Sequence, residues 1–310
     1  MTELTHQSVL LEQAVDALVT DPDGFYIDGT FGRGGHSRFI LERLSQAGRL
    51  LVIDKDQEAI EEAIGLQEQD ERVIVAHQSF AGIEELADTY GVSGKVAGVL
   101  LDLGVSSPQL DVAARGFSFS KPGPLDMRMD TRQGQTAAQW LAEASEEEIA
   151  NVIFEYGQEK FSRRMARAIT REREERPITD TLQLAELIKQ ANPAWERHKH
   201  PATRAFQAIR IFINSELKDL EKALAGIVEV LKTGGRMVVI SFHSLEDRLV
   251  KQFISRQEKG DDYPRDMPVT QSQLNPALKR VGKPLKADSG ELEDNVRARS
   301  AVLRVAEKTA

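Results

Sequence analysis

The chain has 310 residues and a formal net charge of −9, from 40 Lys and Arg against 49 Asp and Glu. It contains no cysteine, which excludes disulfides, thiolate metal sites and cysteine nucleophiles and is typical of a cytoplasmic protein. No apolar stretch approaches the roughly 18–20 residues of a membrane helix, and the polar residues 1–8 lack a secretory signal pattern. We therefore expect a cytoplasmic protein of one or two domains with no membrane partner.

Apolar runs alternate with helical patterns through the first hundred residues. They predict strands at 24–28, 49–54, 72–76 and 95–102, and helices at 7–19, 34–46, 56–64 and 80–90. This alternation is typical of βαβ units around a parallel sheet.

The alternation stops after Asp102 and resumes about a hundred residues later. Residues 104–136 are rich in Gly, Pro and Ser, and helical stretches without a strand signal follow to about residue 200. We then predict, in order, a helix at 203–231, a turn at Gly234 and Gly235, a strand at 236–242, a helix at 244–256, a loop-rich stretch at 258–297 and a strand at 298–306. The fold class is therefore α/β, a doubly wound sheet with a helical insertion after its fourth strand. The predicted domain boundaries are 1–107, 108–203 and 204–310.

Residues 26–36 read Tyr-Ile-Asp-Gly-Thr-Phe-Gly-Arg-Gly-Gly-His and connect a strand to a helix. A turn without side chains lets the backbone approach a ligand closely. Asp54 ends the next strand 20 positions after Gly34, where an acid binds ribose hydroxyls in nucleotide-binding folds. The dinucleotide fingerprint fits poorly, which counts against a nicotinamide oxidoreductase. The alternation is similar to the first motif of S-adenosylmethionine methyltransferases, which usually has glycine at the position of Thr30.

Asp102 ends a third apolar run, so it should lie at the same sheet edge as Asp28 and Asp54. The following Ser-Ser-Pro-Gln, residues 106–109, is similar to the Ser/Asp/Asn-Pro-Pro-aromatic motif of enzymes that methylate exocyclic amines of bases. One proline and the aromatic residue are missing, so base stacking would need another ring, such as Phe117 or Phe119. An ordinary turn is the alternative interpretation.

Motifs along nearly the whole chain resemble the bacterial 16S ribosomal RNA cytosine-N4 methyltransferases. The matching segments are 6–11, 28–36, 101–110, 115–119, 124–130, 200–204, 240–248 and 297–300. The resemblance implies a Rossmann-like methyltransferase sheet with an inserted helical substrate-recognition domain. It also implies a target cytidine in the decoding centre of 16S ribosomal RNA and S-adenosylmethionine as cofactor. The implied cofactor-binding residues are Gly34, Gly35, His36, Asp54, Phe80, Asp102 and Gln109.

A physical role fits each of these positions. Gly34 would let the backbone meet the methionine moiety, and the helix that begins near His36 can bind its carboxylate. Asp54 would accept hydrogen bonds from the ribose, and Phe80 would pack on adenine. Asp102 would bind the ammonium group of the methionine part, and Gln109 would close over it. For His36 and Phe80 the alternatives are a capping histidine and a core phenylalanine.

The favoured mechanism is direct in-line transfer, in which the enzyme mainly supplies alignment. Ser107 and the carbonyl of Pro108 are the candidates to hold the cytosine N4. His243 is a candidate acceptor for its proton, with a loop histidine bonded to backbone as the alternative. No histidine–carboxylate spacing indicates a metal site.

Positive charge is concentrated in residues 156–210, which hold 12 Lys and Arg against 7 Asp and Glu. Five cations recur there at helical spacing, Lys160, Arg163, Arg164, Arg167 and Arg171. They predict either a stripe that contacts RNA phosphates or a solvated face with local ion pairs.

A second polar face is predicted on the helix at 203–231, with Arg204, Gln207, Arg210 and Asn214 within about 120° of one another. It is either one wall of the active cleft or a solvated face. The candidate substrate-binding residues are therefore Arg163, Arg167, Arg204 and Arg210.

Two other functions stay open at this point. The chain could be a non-catalytic ribosome-assembly factor, although retention of the glycine turn with Asp54 and Asp102 argues against this. It could also be an amino methyltransferase that acts on another nucleic acid. The sequence does not decide between naked RNA and the small ribosomal subunit as substrate, and a homodimer is compatible with it.

Overall fold

The computed structural model of the protein describes residues 8–194, 200–261 and 274–309. The chain divides into two compact units. Unit 1 comprises Met1–Gly104 and Leu217–Ala310, and unit 2 comprises Val105–Glu216. The sequence-based domain boundaries after residues 107 and 203 stay a prediction. Within the described residues, no helix is both long enough and apolar enough to span a membrane.

Unit 1 contains a seven-stranded sheet. Its strands are β1 Phe25–Asp28, β2 Arg49–Asp54, β3 Val73–His77, β4 Val96–Asp102, β5 Leu231–Ser241, β6 Leu278–Arg280 and β7 Val302–Lys308. The order across the sheet is β3-β2-β1-β4-β5-β7-β6. The first five strands in this order are parallel, and β7 is antiparallel to both of its neighbours. The predicted Rossmann-like α/β fold is confirmed.

Helices connect and cover these strands. In chain order they are α1 Leu11–Leu18, α2 Gly35–Arg43, α3 Gln57–Gln69, α4 Ile83–Thr89, α5 Ser107–Asp111, α6 Ala137–Glu143, α7 Glu146–Gly157, α8 Ser162–Glu175, α9 Thr181–Ala191, α10 Thr203–Ile213, α11 Glu216–Val230, α12 Ser244–Lys259 and α13 Ser289–Asp294. Helices α5 to α10 belong to unit 2.

The sheet of unit 1 is buried on both faces. Along β2, Leu50 and Val52 join an apolar cluster that also contains residues of α1 and α2. Leu51 and Ile53 point the other way, into a cluster that also contains residues of α4, α11 and α12. Parallel strands covered on both sides have nearly continuous apolar sequences, which is why the runs in β1, β2 and β4 were readable.

Unit 2 has its own apolar core. Side chains of α6 to α10 form it, among them Trp140, Ile153, Met165, Ile188 and Ile209. Local sequence fixes the helix starts, since Thr136, Ser145 and Asp180 accept hydrogen bonds from the first amides of α6, α7 and α9.

The prediction of one helix over 203–231 is wrong. The chain forms α10 and α11, separated at Asn214 and Ser215, and Ser215 has a left-handed φ of 53°. Asn214 is buried; its Nδ2 donates to the Met127 carbonyl and its Oδ1 accepts from the Met129 N–H, both at 2.7 Å. These two hydrogen bonds, to residues far away in the sequence, fix the backbone at the end of α10.

The C-terminal part also differs from expectation. The stretch at 258–297 was predicted as loop-rich, but it contains β6 and α13. The last strand begins at Val302, because Val296–Ser300 form a 3₁₀ turn. Gly234 and Gly235 lie within β5 rather than before it.

Candidate active site

Three adjacent parallel strands end in aspartates. β2, β1 and β4 lie side by side and end in Asp54, Asp28 and Asp102. Ligands of open α/β sheets bind beyond this edge. The structure thus brings together the three acids that the sequence placed at strand ends.

Asp28 is the most deeply buried of the three, with 1% of its surface exposed. Its Oδ1 accepts from the Thr30 N–H at 3.0 Å, and its Oδ2 accepts from the Ser37 hydroxyl at 2.6 Å. Burial raises the pKa of Asp28 to about 6, because the ionised carboxylate loses its water; the bonds from Ser37 and Thr30 act in the opposite direction. Asp28 therefore holds the glycine turn and α2 together.

Asp54 holds the same turn from the neighbouring strand. Its Oδ2 accepts from the Gly32 N–H and its Oδ1 from the Asp56 N–H, both at 2.9 Å. Burial raises the pKa of Asp54, and these backbone donors oppose the rise. A carboxylate has about four lone-pair sites, so two bonds leave capacity for the hydroxyl groups of a ribose.

The glycines of the turn are required by the protein's own packing. Gly34 has a left-handed φ of 73°, and a Cβ there would collide with the Phe31 ring. A Cβ on Gly35 would collide with Ser8 Oγ. Thr30, at a position where the motif usually has glycine, accepts from the Asp102 N–H through its hydroxyl at 2.6 Å. This hydroxyl connects the turn to the end of β4, which glycine could not do.

The start of α2 is suited to an anion. Its N-cap residue, Gly34, has no side chain that could cap the helix, and its first turn has no acidic residue. The first amides of a helix have no acceptor within the helix and carry the positive end of its dipole. A carboxylate fits at such a position.

His36 lies buried in the first turn of α2. Its Nε2 is 3.2 Å from the Val9 carbonyl oxygen, and because a carbonyl only accepts, Nε2 carries the proton. Burial lowers the pKa of His36 to about 4, so the ring is neutral near pH 7 and its Nδ1 is unprotonated. This Nδ1 lies 3.6 Å from Asp102 Oδ2.

The carboxylate of Asp102 is suited to binding a cation. Its Oδ1 is buried and finds no hydrogen-bond partner among residues 8–194, 200–261 and 274–309, while 24% of the side chain is exposed. The pKa of Asp102 is raised well above its usual range, first by burial and then by the nearby Asp28 and Glu246, while the positive charge of Arg297 acts in the opposite direction. An ammonium group at this edge would compensate both the burial and the neighbouring negative charge.

Phe80 follows β3 and begins the 3₁₀ turn Phe80–Gly82. It is half-buried against the apolar cluster that contains Leu51 and Ile53. A Cβ on Gly29 would lie 3.2 Å from the Phe80 Cβ, so this residue stands beside the glycine turn. The placement suits an adenine-packing ring and equally the alternative of a core phenylalanine.

His243 precedes α12 and caps it. Its Nδ1 accepts from the Glu246 N–H at 3.3 Å, and its Nε2 lies 3.0 Å from Glu246 Oε1. Glu246 Oε2 in turn accepts from the backbone N–H groups of Phe242 and His243 at 2.8 and 3.2 Å. Since the Nδ1 lone pair is used in the cap, this geometry favours a structural role over the acceptor of the N4 proton.

In unit 2, Ser107, Pro108 and Gln109 form the first turn of α5. Gln109 is buried, and its Oε1 accepts from the Ser106 N–H at 2.9 Å in a capping box. The Pro108 carbonyl already accepts from the Val112 N–H at 2.9 Å. The roles predicted for these three residues stay predictions.

The polar face predicted for 203–231 has structural partners within unit 2. Arg210 donates to both carboxylate oxygens of Glu216 at 2.8 Å, and Asn214 binds backbone as described above. Arg204 is half-buried on the same helix, α10. A role for Arg204 and Arg210 in substrate binding stays a prediction.

The basic stripe lies on the exposed side of α8. Arg163, Arg167 and Arg171 are exposed there, and Arg167 has 78% of its side chain in solvent with Nε 3.6 Å from Glu146 Oε1. An ion pair this exposed contributes little to stability. The side chains are therefore available to another molecule.

The two rings considered for base stacking differ in their surroundings within unit 2. Phe119 packs against His200 and Phe206, with ring centroids 4.6 and 4.7 Å away. Phe117 is buried, with the Arg115 guanidinium 5.8 Å from its ring centroid.

Comparison with known proteins identifies the family to which the chain belongs. Residues 3–309 match the model of the MraW methylase family. The chain belongs to this family. It is 58% identical to "Ribosomal RNA small subunit methyltransferase H" of Chromohalobacter salexigens over 304 residues, which are 98% of this chain and 91% of that protein. The protein of the same name from Marinomonas sp. is 53% identical over 308 residues, 99% of this chain and 98% of its own.

Among solved structures, the chain is similar to a putative rRNA-methylase from Clostridium thermocellum, with a TM-score of 0.44, 13% identity and 98% of both chains covered. This likeness is too low to add to the family match. Membership of the MraW methylase family confirms the resemblance that the motifs indicated. It also confirms the predicted class, a methyltransferase that uses S-adenosylmethionine.

Three members of the site were missed from the sequence of this family member. Thr30 was treated as a departure from a motif, and Ser37 carries no signal beyond its place in the first turn of a helix. Glu246 stands three residues after His243, the spacing of a capping box, and that pattern could have identified it.

Proposed function

We propose that the chain transfers a methyl group from S-adenosylmethionine to the exocyclic N4 of a cytidine in the decoding centre of 16S ribosomal RNA. The observation that supports the cofactor site best is that a carboxylate and the first amides of a helix lie at one edge of the sheet, and each suits a partner of opposite charge. Within residues 8–194, 200–261 and 274–309, Asp102 Oδ1 has no hydrogen-bond donor, and Gly34, the N-cap of α2, offers no side-chain acceptor. An amino acid moiety, with its ammonium and carboxylate groups, matches both.

The residues of unit 1 would then share the cofactor among them. Asp102 would bind the ammonium group, the amides at the start of α2 the carboxylate, and Asp54 the ribose hydroxyls. Phe80 would pack on the adenine. When bound, S-adenosylmethionine would supply a methyl group on its sulfonium sulfur, and this sulfur would depart as a neutral thioether.

Ser107 and the Pro108 carbonyl are our candidates to accept a hydrogen bond from N4, and Gln109 would close over the methionine part of the cofactor. The lone pair of N4 is delocalised into the ring, so accepting a bond from its amino group raises the electron density on nitrogen. Alignment is the main contribution of such a site. No strong base is needed, because the N4 proton becomes acidic once the nitrogen is methylated, and this agrees with His243 acting as a cap.

The form of the RNA substrate, the residues that contact it and the oligomeric state are also part of the proposal. We take the assembled small ribosomal subunit in the cytoplasm as the substrate, with Arg163, Arg167, Arg204 and Arg210 as RNA contacts. A homodimer is to be tested by light scattering.

The test is nucleoside mass spectrometry of 16S ribosomal RNA after incubation with S-adenosylmethionine, offered as naked RNA and as subunits. We expect N4-methylcytidine, and Asp102→Asn should abolish it while Asp88→Asn, an exposed aspartate on α4, should not. A C5-methyl product would contradict the proposal. Binding of subunits without any methyl transfer would instead favour an assembly factor, and equal transfer to DNA would favour the other amino methyltransferase.

A further inference from the structure

The segment before α1 lies against the glycine turn. A Cβ on Gly35 would collide with Ser8 Oγ, and the Val9 carbonyl accepts the Nε2 proton of His36 at 3.2 Å. Val9 and Leu10 are buried in the same apolar cluster. Residues 8–10 therefore form one wall of the turn that leads into α2, although none of them was assigned a role above.

Glu291 holds this segment from the opposite end of the chain. Its Oε1 accepts from the Leu10 N–H at 2.7 Å, across 281 positions of sequence. Leu10 precedes α1 with φ 52° and ψ 36°, a left-handed conformation that is strained for an L side chain. Such a conformation persists only where the surroundings hold it, and the carboxylate of Glu291 supplies a charge-assisted bond at this residue.

We propose that Glu291 is a positioning residue for the cofactor: by binding the Leu10 N–H it fixes residues 8–10, and through Val9 it orients His36 at the start of α2. The proposal rests on the function proposed above for the start of α2 and Asp102. It adds a residue of α13, outside the strand ends and the glycine turn, to the set on which cofactor affinity depends.

The series lies within unit 1. Glu291 accepts a hydrogen bond from the Leu10 N–H, and the adjoining Val9 carbonyl accepts one from His36 Nε2. His36 Nδ1 faces Asp102 Oδ2 at 3.6 Å, a separation that is too long for a hydrogen bond. Without Glu291, the buried Leu10 N–H loses its acceptor and the strained backbone is free to relax. The Val9 carbonyl then no longer has a fixed place, and the site must be ordered when the ligand binds, which lowers affinity.

The test compares three variants by titration calorimetry with S-adenosylmethionine. Glu291→Ala should raise the dissociation constant about tenfold. Glu291→Gln keeps a carbonyl oxygen that can accept from the Leu10 N–H, so it should stay within about threefold of the wild type. Glu293→Ala is the matched control, since Glu293 is exposed on the same helix and should bind as the wild type does.

A second readout follows the histidine itself. In ¹⁵N-histidine-labelled protein, the ring nitrogens of His36 should report the Nε2-protonated form in the wild type and a mixture of tautomers in Glu291→Ala. A purely structural role would lower the melting temperature of Glu291→Ala but leave the dissociation constant and the His36 signals unchanged. That result, or a Glu291→Gln variant as weak as Glu291→Ala, would overturn the positioning role. Failure of the wild type to bind S-adenosylmethionine would overturn the proposed function as well.

Discussion

Replacing Asp28 by asparagine should make the folded state less sensitive to pH and more stable in alkaline solution. Asp28 is buried, and its pKa in the folded protein is about 6, against an ordinary value of 3.8. Between these two values the folded state holds a proton that the unfolded state has released. The stability that Asp28 contributes is therefore complete below pH 3.8 and is lost as the pH rises through 6.

The size of the effect follows from the difference of about two pKa units. One unit corresponds to about 1.4 kcal/mol, so ionised Asp28 costs the folded state about 3 kcal/mol at pH 8. Asparagine removes this cost and keeps the shape. Its Oδ1 can still accept from the Thr30 N–H, and its Nδ2 can donate to the Ser37 hydroxyl.

The assay is urea unfolding followed by circular dichroism between pH 4 and pH 8. The free energy of unfolding of the wild type should fall by up to about 3 kcal/mol relative to Asp28→Asn across this range. Asp54 and Asp102 also have raised pKa values and contribute to the slope of both proteins. Because the charge of Asp28 raises the pKa of Asp102, the difference between the proteins reports on Asp28 together with its effect on Asp102. Asp88→Asn on the exposed side of α4 is the control and should follow the wild type. Parallel curves for the wild type and Asp28→Asn would refute the reasoning.

Three further results are expected. Asp54→Ala should weaken S-adenosylmethionine binding by about 1–3 kcal/mol in calorimetry, because the ribose and the Gly32 N–H both lose an acceptor. Affinity for S-adenosylmethionine should rise with pH until Asp102 is ionised in the free protein and then level off, because a bound ammonium lowers the raised pKa of this carboxyl; calorimetry in buffers of different ionisation enthalpy should detect the released proton. Replacing Arg163, Arg167 and Arg171 by Gln should weaken RNA binding and lower the slope of log affinity against log salt by about 0.7–0.9 for each phosphate that the variant no longer neutralises.

Control variants and contrary results distinguish these predicted effects from general effects of mutation. The triple variant of α8 should bind S-adenosylmethionine as the wild type does, and Lys189→Gln on α9 tests whether removal of any cation has the same effect on RNA. An unchanged salt slope in a folded triple variant would remove α8 from the RNA surface. Affinity for S-adenosylmethionine that is independent of pH would argue against Asp102 as the ammonium ligand, and an Asp54→Ala variant that binds normally would remove the ribose contact.

The strands that carry the site could be predicted because their signals are local. The runs at 24–28, 49–54 and 95–102 differ from β1, β2 and β4 by one residue at most. A buried parallel strand has to be apolar along its length, and the first polar residue marks its end. The glycine turn was equally readable, since left-handed φ values at Gly32 and Gly34 require this residue type.

Features set by distant contacts could not be predicted. The break between α10 and α11 depends on a hydrogen bond from Asn214 Nδ2 to the Met127 carbonyl and one from the Met129 N–H to Asn214 Oδ1, and no glycine or proline marks it. Within the site, Thr30 bonds to Asp102 across 72 positions, and Leu10 to Glu291 across 281. No local pattern carries such pairs. The short β6 was missed because its three residues include the exposed Lys279 and Arg280.

Because both faces of the central sheet are buried, burial alone does not fix the register of its parallel strands. In a sheet with one face exposed to solvent, a shift of one residue in the strand register would turn the apolar side chains of that strand towards solvent. In β2 such a slip would exchange Leu50 and Val52 with Leu51 and Ile53, one pair of apolar side chains for another. The slip would, however, move Asp54 away from its position at the end of the strand.

Two kinds of sequence change in β2 should therefore have different effects. Exchanges among Val, Ile and Leu inside β2 alter packing alone, and close matches in volume should persist through evolution. Deletion of a single residue there should leave a protein that folds but presents the wrong side chain to the glycine turn. The length of these strands places the site residues at their ends, and their apolar composition builds the core.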